Sequence, residues 1–257
     1  KVGGIFANST KPYDFIFENL KIETNVIELS RKVGVKKILF LGSSCIYPKY
    51  SRQPIKEEYL LESSLESSNQ WYSIAKIAGI KLCESLYKQY GINAISLMPC
   101  NLFGPGDNYD PLTSHVLPAL IRKFQTAKNN NQEKVICWGT GNPLREFLYV
   151  DDLAEACIYA LRNWNINSKN APVDESNKKL AWLNVGSGKE ISIKELAEKI
   201  SNIIGFKGEI IWDKNKPDGT PRKLLDTTKI RAFGWEPKIT LTNGIKLAIN
   251  DYINRIQ

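Results

Sequence analysis

The sequence predicts an α/β fold: a parallel sheet covered by helices on both faces, with a smaller mixed α/β lobe. Three observations predict it. Helical and strand-like segments alternate from Pro12 to Pro99. The strand-like segments are apolar throughout, as strands buried on both faces are, and do not alternate with polar residues. Beyond Pro105 this alternation gives way to loops and shorter strands, which suits a second lobe. A chain of 257 residues, 42% hydrophobic and 24% charged, is long enough for one large domain or two modest ones.

From Pro12 to Lys32 apolar residues recur at helical spacing (Phe15, Leu20, Val26, Leu29), and Gly34 is a stop signal. "KKILFLGSS" then reads as a buried strand running into a polar end. "YSIAKIAGIKLCESLYKQYG" is a second long helix closing on Gly91, and residues 93 to 99, "NAISLMP", form the next strand. "GDNYDPLTS" is loop, "HVLPALIRKFQTAK" helix, "KVICWG" and "LREFLYV" short strands, and "VDDLAEACIYALRN" an amphipathic helix. "AWLNVGSG" is a strand and turn. "SIKELAEKISNIIG" opens with a capping box, Ser192 to Glu195, and ends at Gly205. On this pattern residues 1–107 form the sheet domain, with 144–165 packing back on it, and residues 108–257 are mostly the second lobe.

Composition removes several classes of function. No run approaches the ~18 apolar residues of a membrane span, and "KVGGIFANST" lacks the regions of a signal peptide, so a soluble intracellular protein is expected. The cysteines (Cys45, Cys83, Cys100, Cys137, Cys157) are odd in number and never in C-x-x-C spacing, and His115 is the sole histidine. Neither a disulfide framework nor a metal site is expected, and most of the thiols should be small buried hydrophobes. The net charge of +8 raises nucleic acid as a partner. The lysines are spread along the chain, however, so no nucleic acid and no membrane partner is expected, and the charge suits a solvated surface or a phosphorylated small molecule.

Ligands of parallel sheets bind at the carboxyl ends of the strands, which directs attention to "LGSSCIYP" and "MPCNLFGPGDN". Between them Tyr72 and Lys76 stand four apart and share one helix face. An ammonium beside a phenol favours the phenolate, drawing its ordinary pKa of about 10 toward neutrality. Alone, a Y-x-x-x-K spacing is equally an exposed helix pair. With Ser43 at the preceding strand end, it resembles the Ser-Tyr-Lys triad of the extended short-chain dehydrogenase/reductase superfamily, which implies a Rossmann-type sheet.

Within that superfamily, "SSCIYP", "YSIAKIAGIKLCES", "SHVLPAL", "WGTGNPLREFLYVDD" and "KPDGTPRKLLD" are similar to the GDP-L-fucose synthase family, from the first residues to the C-terminal helix. The resemblance implies an NADP(H)-dependent enzyme acting on a GDP-sugar. It would epimerise C3 and C5 of GDP-4-keto-6-deoxy-D-mannose and then reduce C4, in a cytoplasmic homodimer paired through the helices at 12–32 and 71–90. It assigns catalysis to Ser43, Tyr72, Lys76, Cys45 as base and His115 as acid. Cofactor contacts fall on Leu41, Gly42, Ser43, Ser44, Lys76, Pro99, Cys100, Asn101, Leu102 and His115. Substrate contacts fall on Lys123, Trp138, Arg145 and Asp218. Position 123 is arginine in some relatives, and lysine keeps the charge without the bidentate fork. Arg222 and Lys223 are further basic contacts or residues of a solvated loop. A UDP-hexose 4-epimerase-like activity, or a non-catalytic nucleotide-sugar binding remnant, stays open beside this reading.

One departure stands out. Family members carry a G-x-x-G-x-x-G turn that cradles the cofactor pyrophosphate at a helix N-terminus, and these 257 residues contain none. The resemblance aligns "KVGGIFANS" with the end of the family's fourth strand, so that two βα units, roughly 60 residues, are expected to be absent and one sheet edge unpaired.

Overall fold

The computed structural model describes residues 1–216 and 218–256. A short helix α1 (Ile5–Thr10) precedes α2 (Pro12–Lys32), which has Pro12 in its first turn, where a missing N–H costs nothing. Strand β1 (Lys37–Leu41), helix α3 (Gln70–Tyr90) and strand β2 (Asn93–Pro99) follow. Gly91 ends α3 with φ +69°, the left-handed conformation a glycine takes without penalty. β1 and β2 are parallel, in register from Lys37 opposite Asn93 to Leu41 opposite Leu97.

At Cys100 the chain leaves this sheet for another. β3 (Asn101–Phe103), α4 (Val116–Asn129), β4 (Lys134–Trp138), β5 (Leu144–Tyr149), α5 (Val150–Asn163), β6 (Trp182–Val185) and β7 (Glu190–Ser192) come next. α6 (Ile193–Ile204), β8 (Glu209–Asp213), β9 (Arg222–Lys223), α7 (Thr228–Ala232) and α8 (Leu241–Ile256) complete the described chain. The capping box of α6 forms in full, Ser192 accepting from the Glu195 amide and Glu195 from the Ser192 amide. Such a cap stabilises a helix by about 1 kcal/mol. The short elements β3, β7, β8, β9 and α7 have no sequence signal of their own.

Among the described residues the first sheet has the order β1-β2-β6, all parallel, and β1 has a single strand neighbour. Residues 182–185, which the sequence pattern leaves in the second lobe, therefore pair with β2. A second sheet runs β3-β5-β7 with β9 beside β5, and β4 pairs with β8. Two cores result. One joins Ile80 of α3, Leu97 and Met98 of β2, Leu183 of β6, and Leu153 and Ala156 of α5. The other joins Ile121 and Phe124 of α4, Leu196 and Ile200 of α6, and Ile245 of α8. Of the five free thiols, Cys83, Cys100 and Cys137 are buried, and Cys45 and Cys157 half-buried. Among the described residues no helix is long and apolar enough to cross a membrane.

Candidate active site

The site begins where β1 ends. Gly42 donates to the Leu97 carbonyl at 2.9 Å, and a Cβ there would lie 2.4 Å from Met98 Sδ, so only glycine allows the chain to leave the sheet this tightly. Ser43 then caps a single 3-10 turn, Ser44–Ile46, its Oγ accepting from the Cys45 amide at 3.2 Å. The turn is pinned to α3 by Ser73, whose hydroxyl donates to the Cys45 carbonyl at 2.8 Å. Tyr72, one residue earlier, is thereby brought beside Ser43 and Cys45, both of which act on its ionisation.

Two cations close the other side of Cys45. β9 lies parallel to β5 with Arg145 opposite Lys223, and both charges bear on the thiol. Lys223 Nζ donates to Cys45 Sγ at 3.6 Å. Burial opposes a thiolate, but Lys223, the hydrogen bond with Ser43 and Arg145 together outweigh it and hold the Cys45 thiol below its ordinary range. Arg222, the other basic residue of that stretch, is committed elsewhere, in a bidentate pair with Glu190 at 2.7 and 2.8 Å.

The tyrosine departs from the expected electrostatics. Burial pushes the Tyr72 hydroxyl well above its ordinary value, and the negative charge available to Cys45 adds to this, while Ser43 opposes it. Lys76 does not draw it down. Its Nζ donates to the Leu41 carbonyl at 3.0 Å and lies 6.0 Å from the Tyr72 ring centre, and its own ammonium is disfavoured by burial. Tyr72 is thus held as a protonated phenol, the form that donates.

His115 is exposed at the N-cap of α4. Burial pushes the nearby Asp107 carboxyl up, against the Asn108 amide, His115 and Arg255, and Gly4 donates to the neighbouring Thr113 carbonyl at 3.3 Å. His115 makes no side-chain cap bond.

The residues assigned to substrate are spread over α4 (Lys123), β4 (Trp138), β5 (Arg145) and the segment before β9 (Asp218). Trp138, at the end of β4, is 60% exposed, with Lys123 Nζ 5.5 Å and Lys216 Nζ 5.4 Å from its ring centre. An indole face so presented, with a cation within stacking range on each count, suits a flat aromatic or anionic group. Lys123 is fixed by donation to the Ile136 carbonyl at 2.9 Å. Arg145 is half-buried, donating to the Leu144 carbonyl at 2.8 Å. Asp218 spends both oxygens on Thr140, accepting from its amide at 2.7 Å and its hydroxyl at 2.8 Å. It therefore clamps the turn after Trp138. Gly139 makes room for it, since a Cβ there would meet Asp218 Oδ1 at 2.2 Å.

The family described as NAD dependent epimerase/dehydratase matches residues 1–171. The chain belongs to that family. It is 53% identical over 256 residues to GDP-L-fucose synthase 1 of Arabidopsis thaliana, covering 100% of this chain and 75% of that protein. Among solved structures, a GDP-6-OMe-4-keto-L-xylo-heptose reductase from C. jejuni superposes with a TM-score of 0.90 at 36% identity, over 99% of this chain and 81% of that one. A GDP-L-fucose synthetase from Naegleria fowleri bound to NADP gives 0.83 at 26% identity, over 99% and 76%.

The strand ends fit the nicotinamide cofactor this family uses. Lys76 has three N–H donors and places one on Leu41, which leaves donors for a ribose diol. Leu41 is 39% exposed at the mouth of the sheet. Asn101 and Leu102 are half-buried there, Asn101 held by donation to the Glu146 carbonyl at 2.8 Å. Ser44 and Cys100 have buried side chains. Gly42 and Pro99 are buried too, and the Gly42 and Cys100 amides are spent on the Leu97 and Val185 carbonyls at 2.9 and 3.0 Å, so the accessible part of this set is Leu41, Ser43, Asn101 and Leu102.

Sequence reasoning left Lys223 undecided, and it gave Arg145 no part in tuning Cys45. "PRKLLD" marks a basic stretch, but which of its cations turns to the thiol depends on the pairing of β9 with β5, which brings together residues 178 apart in the chain.

Proposed function

We propose that this chain carries the catalytic centre of an NADP-dependent GDP-L-fucose synthase. The observation that carries the reading is the Cys45 thiol, drawn toward its thiolate by Lys223 and Arg145 and set beside the Ser43–Tyr72–Lys76 group. A base for carbon acids and a proton donor for a carbonyl oxygen then share one site. Protons on C3 and C5 of a 4-keto sugar are alpha to the ketone, so Cys45 can remove them, and His115 on the opposite face returns them with inversion. Ser43 orients the C4 oxygen and Tyr72 protonates it. NADPH, when bound, supplies the hydride for C4. Lys76 holds the nicotinamide ribose, and Trp138, Lys123 and Arg145 receive the GDP portion, with Asp218 fixing the turn beside them. The proposal includes a cytoplasmic location, a homodimer supported by the exposed apolar residues Phe17, Ile22, Val26 and Leu29 on α2, and the division into a 1–107 cofactor domain and a 108–257 lobe.

The test supplies NADPH and the 4-keto sugar nucleotide to this chain and to the chain preceded by the two N-terminal βα units of a relative. Turnover in at least one, with deuterium from heavy water entering C3 and C5, is expected. Reduction without wash-in would move the chain to the 4-reductases. Inversion at C4 of a UDP-hexose offered in place of the keto sugar, with no wash-in and no net reduction, would favour a UDP-hexose 4-epimerase type of chemistry, and failure of both proteins would leave a binding remnant.

A further inference from the structure

Glu23 is a carboxylate in an unusual place. It lies on the face of α2 that packs against α3 and is 5% exposed. Among the described residues neither of its oxygens has a hydrogen-bond partner. A buried, unpartnered carboxylate is destabilising, and an apolar side chain of similar size would suit the helix pair better. The packing has nonetheless been shaped to admit it. Gly79 of α3 stands opposite, and a Cβ there would lie 2.9 Å from Glu23 Oε2 and 2.4 Å from the Phe40 ring. A glycine inside a helix is less favourable than alanine, so the space for the carboxylate is kept at some cost to α3.

The face of α3 that receives Glu23 is the catalytic one. Tyr72, Lys76, Gly79 and Cys83 follow one another at helical spacing. Glu23 and Lys76 attract each other through space, without a direct hydrogen bond. Lys76 Nζ lies 4.7 Å from the Phe40 ring centre, against the same aromatic side chain that bounds Gly79. The groups facing Glu23 are Lys76, Tyr72 and Cys83 from α3 and the α-amino group of Lys1. Asn19, one turn earlier on α2, accepts from that amino group at 2.8 Å. Of these, Lys76 is the cation with a part in the reaction.

We propose that Glu23 is a positioning residue for the reduction, acting through Lys76 as its buried counter-charge across the space that Gly79 leaves between α2 and α3. The inference rests on the reading of Lys76 given above. The Glu23 carboxyl is pushed up to about 7 by burial, with Lys76 and the α-amino group opposing the rise, so its charge changes near neutrality. A folded-state value raised above the ordinary one means that the carboxylate form is present only as pH rises through that range. Its support of Lys76 is therefore available above neutrality, where the ammonium is most at risk.

The test is a titration of the lysine side-chain nitrogens by 15N NMR in the protein without ligand, with the Lys76 signal assigned by its loss in Lys76→Arg. In the unaltered protein the Lys76 resonance should show a step near pH 7, reporting Glu23, before its own deprotonation. In Glu23→Gln that step should vanish and the deprotonation move to lower pH, while Glu23→Asp retains both features. In the active protein the alkaline limb of the single-turnover reduction rate should move down with Glu23→Gln, a loss of about tenfold at a pH on that limb for one unit of displacement, with C3 and C5 wash-in unchanged. A Lys76 signal without the step in the unaltered protein overturns the proposal even if the variant does not fold. An alkaline limb common to both proteins overturns it as well. Because the titration needs no substrate, an intact step where neither protein turns over would sink the functional reading and leave only the coupling of Glu23 to Lys76 standing.

Discussion

The ends of β1 and β2, neighbours in one parallel sheet, each lead to a thiol, and the two thiols are held in opposite states. Cys45 follows β1 by a glycine and one serine-capped turn, and meets Lys223 and Arg145. Cys100 follows β2 directly and is 6% exposed. Burial and the nearby Glu146 carboxylate push its thiol well above the ordinary range. Around Cys100 the polar groups hold the fold. Its amide donates to the Val185 carbonyl at 3.0 Å, and Glu146 accepts from the Gly188 and Leu225 amides at 2.6 and 3.0 Å. Strand ends in such sheets are where ligands bind, but position alone does not make a reagent. One end carries a thiol that neighbouring cations draw toward its thiolate, and the other a buried sulfur within a structural joint.

The comparison is open to being broken, most severely by Cys45→Ser. In whichever protein turns over, this change should lower deuterium wash-in at C3 and C5 by about a hundredfold or more, the scale of a lost general base, while the thermal midpoint hardly moves. Wash-in at the original rate would remove the thiol from the mechanism. At the structural end, Gly186→Ala puts a Cβ 2.2 Å from Glu146 Oε1. It should cost about 2 kcal/mol by overpacking, read as a lower midpoint in urea, and an unchanged midpoint would show that the joint is softer than its geometry.

Lys223→Met sharpens the contrast through pH. Because the Cys45 thiol is held low, its alkylation by iodoacetamide should persist to lower pH than that of an ordinary cysteine and fall only as pH drops through the depressed value. The variant should move that midpoint upward and slow alkylation near neutrality by about tenfold, one unit of displacement. A midpoint that stays put would assign the effect to Arg145 and Ser43 instead. The smallest effect is expected from Cys100→Ala, about 1 kcal/mol in stability, with wash-in at the level of the unaltered protein. A large loss of wash-in there would mean that the two strand ends are not separated in function.

Much of the scaffold was legible because its signals are local. The helix of Pro12 to Lys32, the strand of residues 93 to 99, the stop at Gly91 and the capping box at Ser192 and Glu195 all depend on residues within a few positions of one another. The same local signals marked Ser43 and the Tyr72–Lys76 pair, one at a strand end and two on a helix face. The three-residue strand β7, the two-residue strand β9 and the pairing of β6 with β2 were not legible. Such short segments become strands through the neighbour they pair with.

By itself, then, the sequence determined the alternation of apolar strands and amphipathic helices and the types of group available at each strand end, since periodicity and capping are written in i to i+4 relations. Only the tertiary structure decided that Lys223 and not Arg222 meets Cys45, that Tyr72 is held protonated, that Asp218 clamps the turn after Trp138, and that Glu23 enters opposite Gly79. Proton affinity and charge coupling depend on burial and distance through space, and residues far apart in the chain acquire both only when strands register and helices pack.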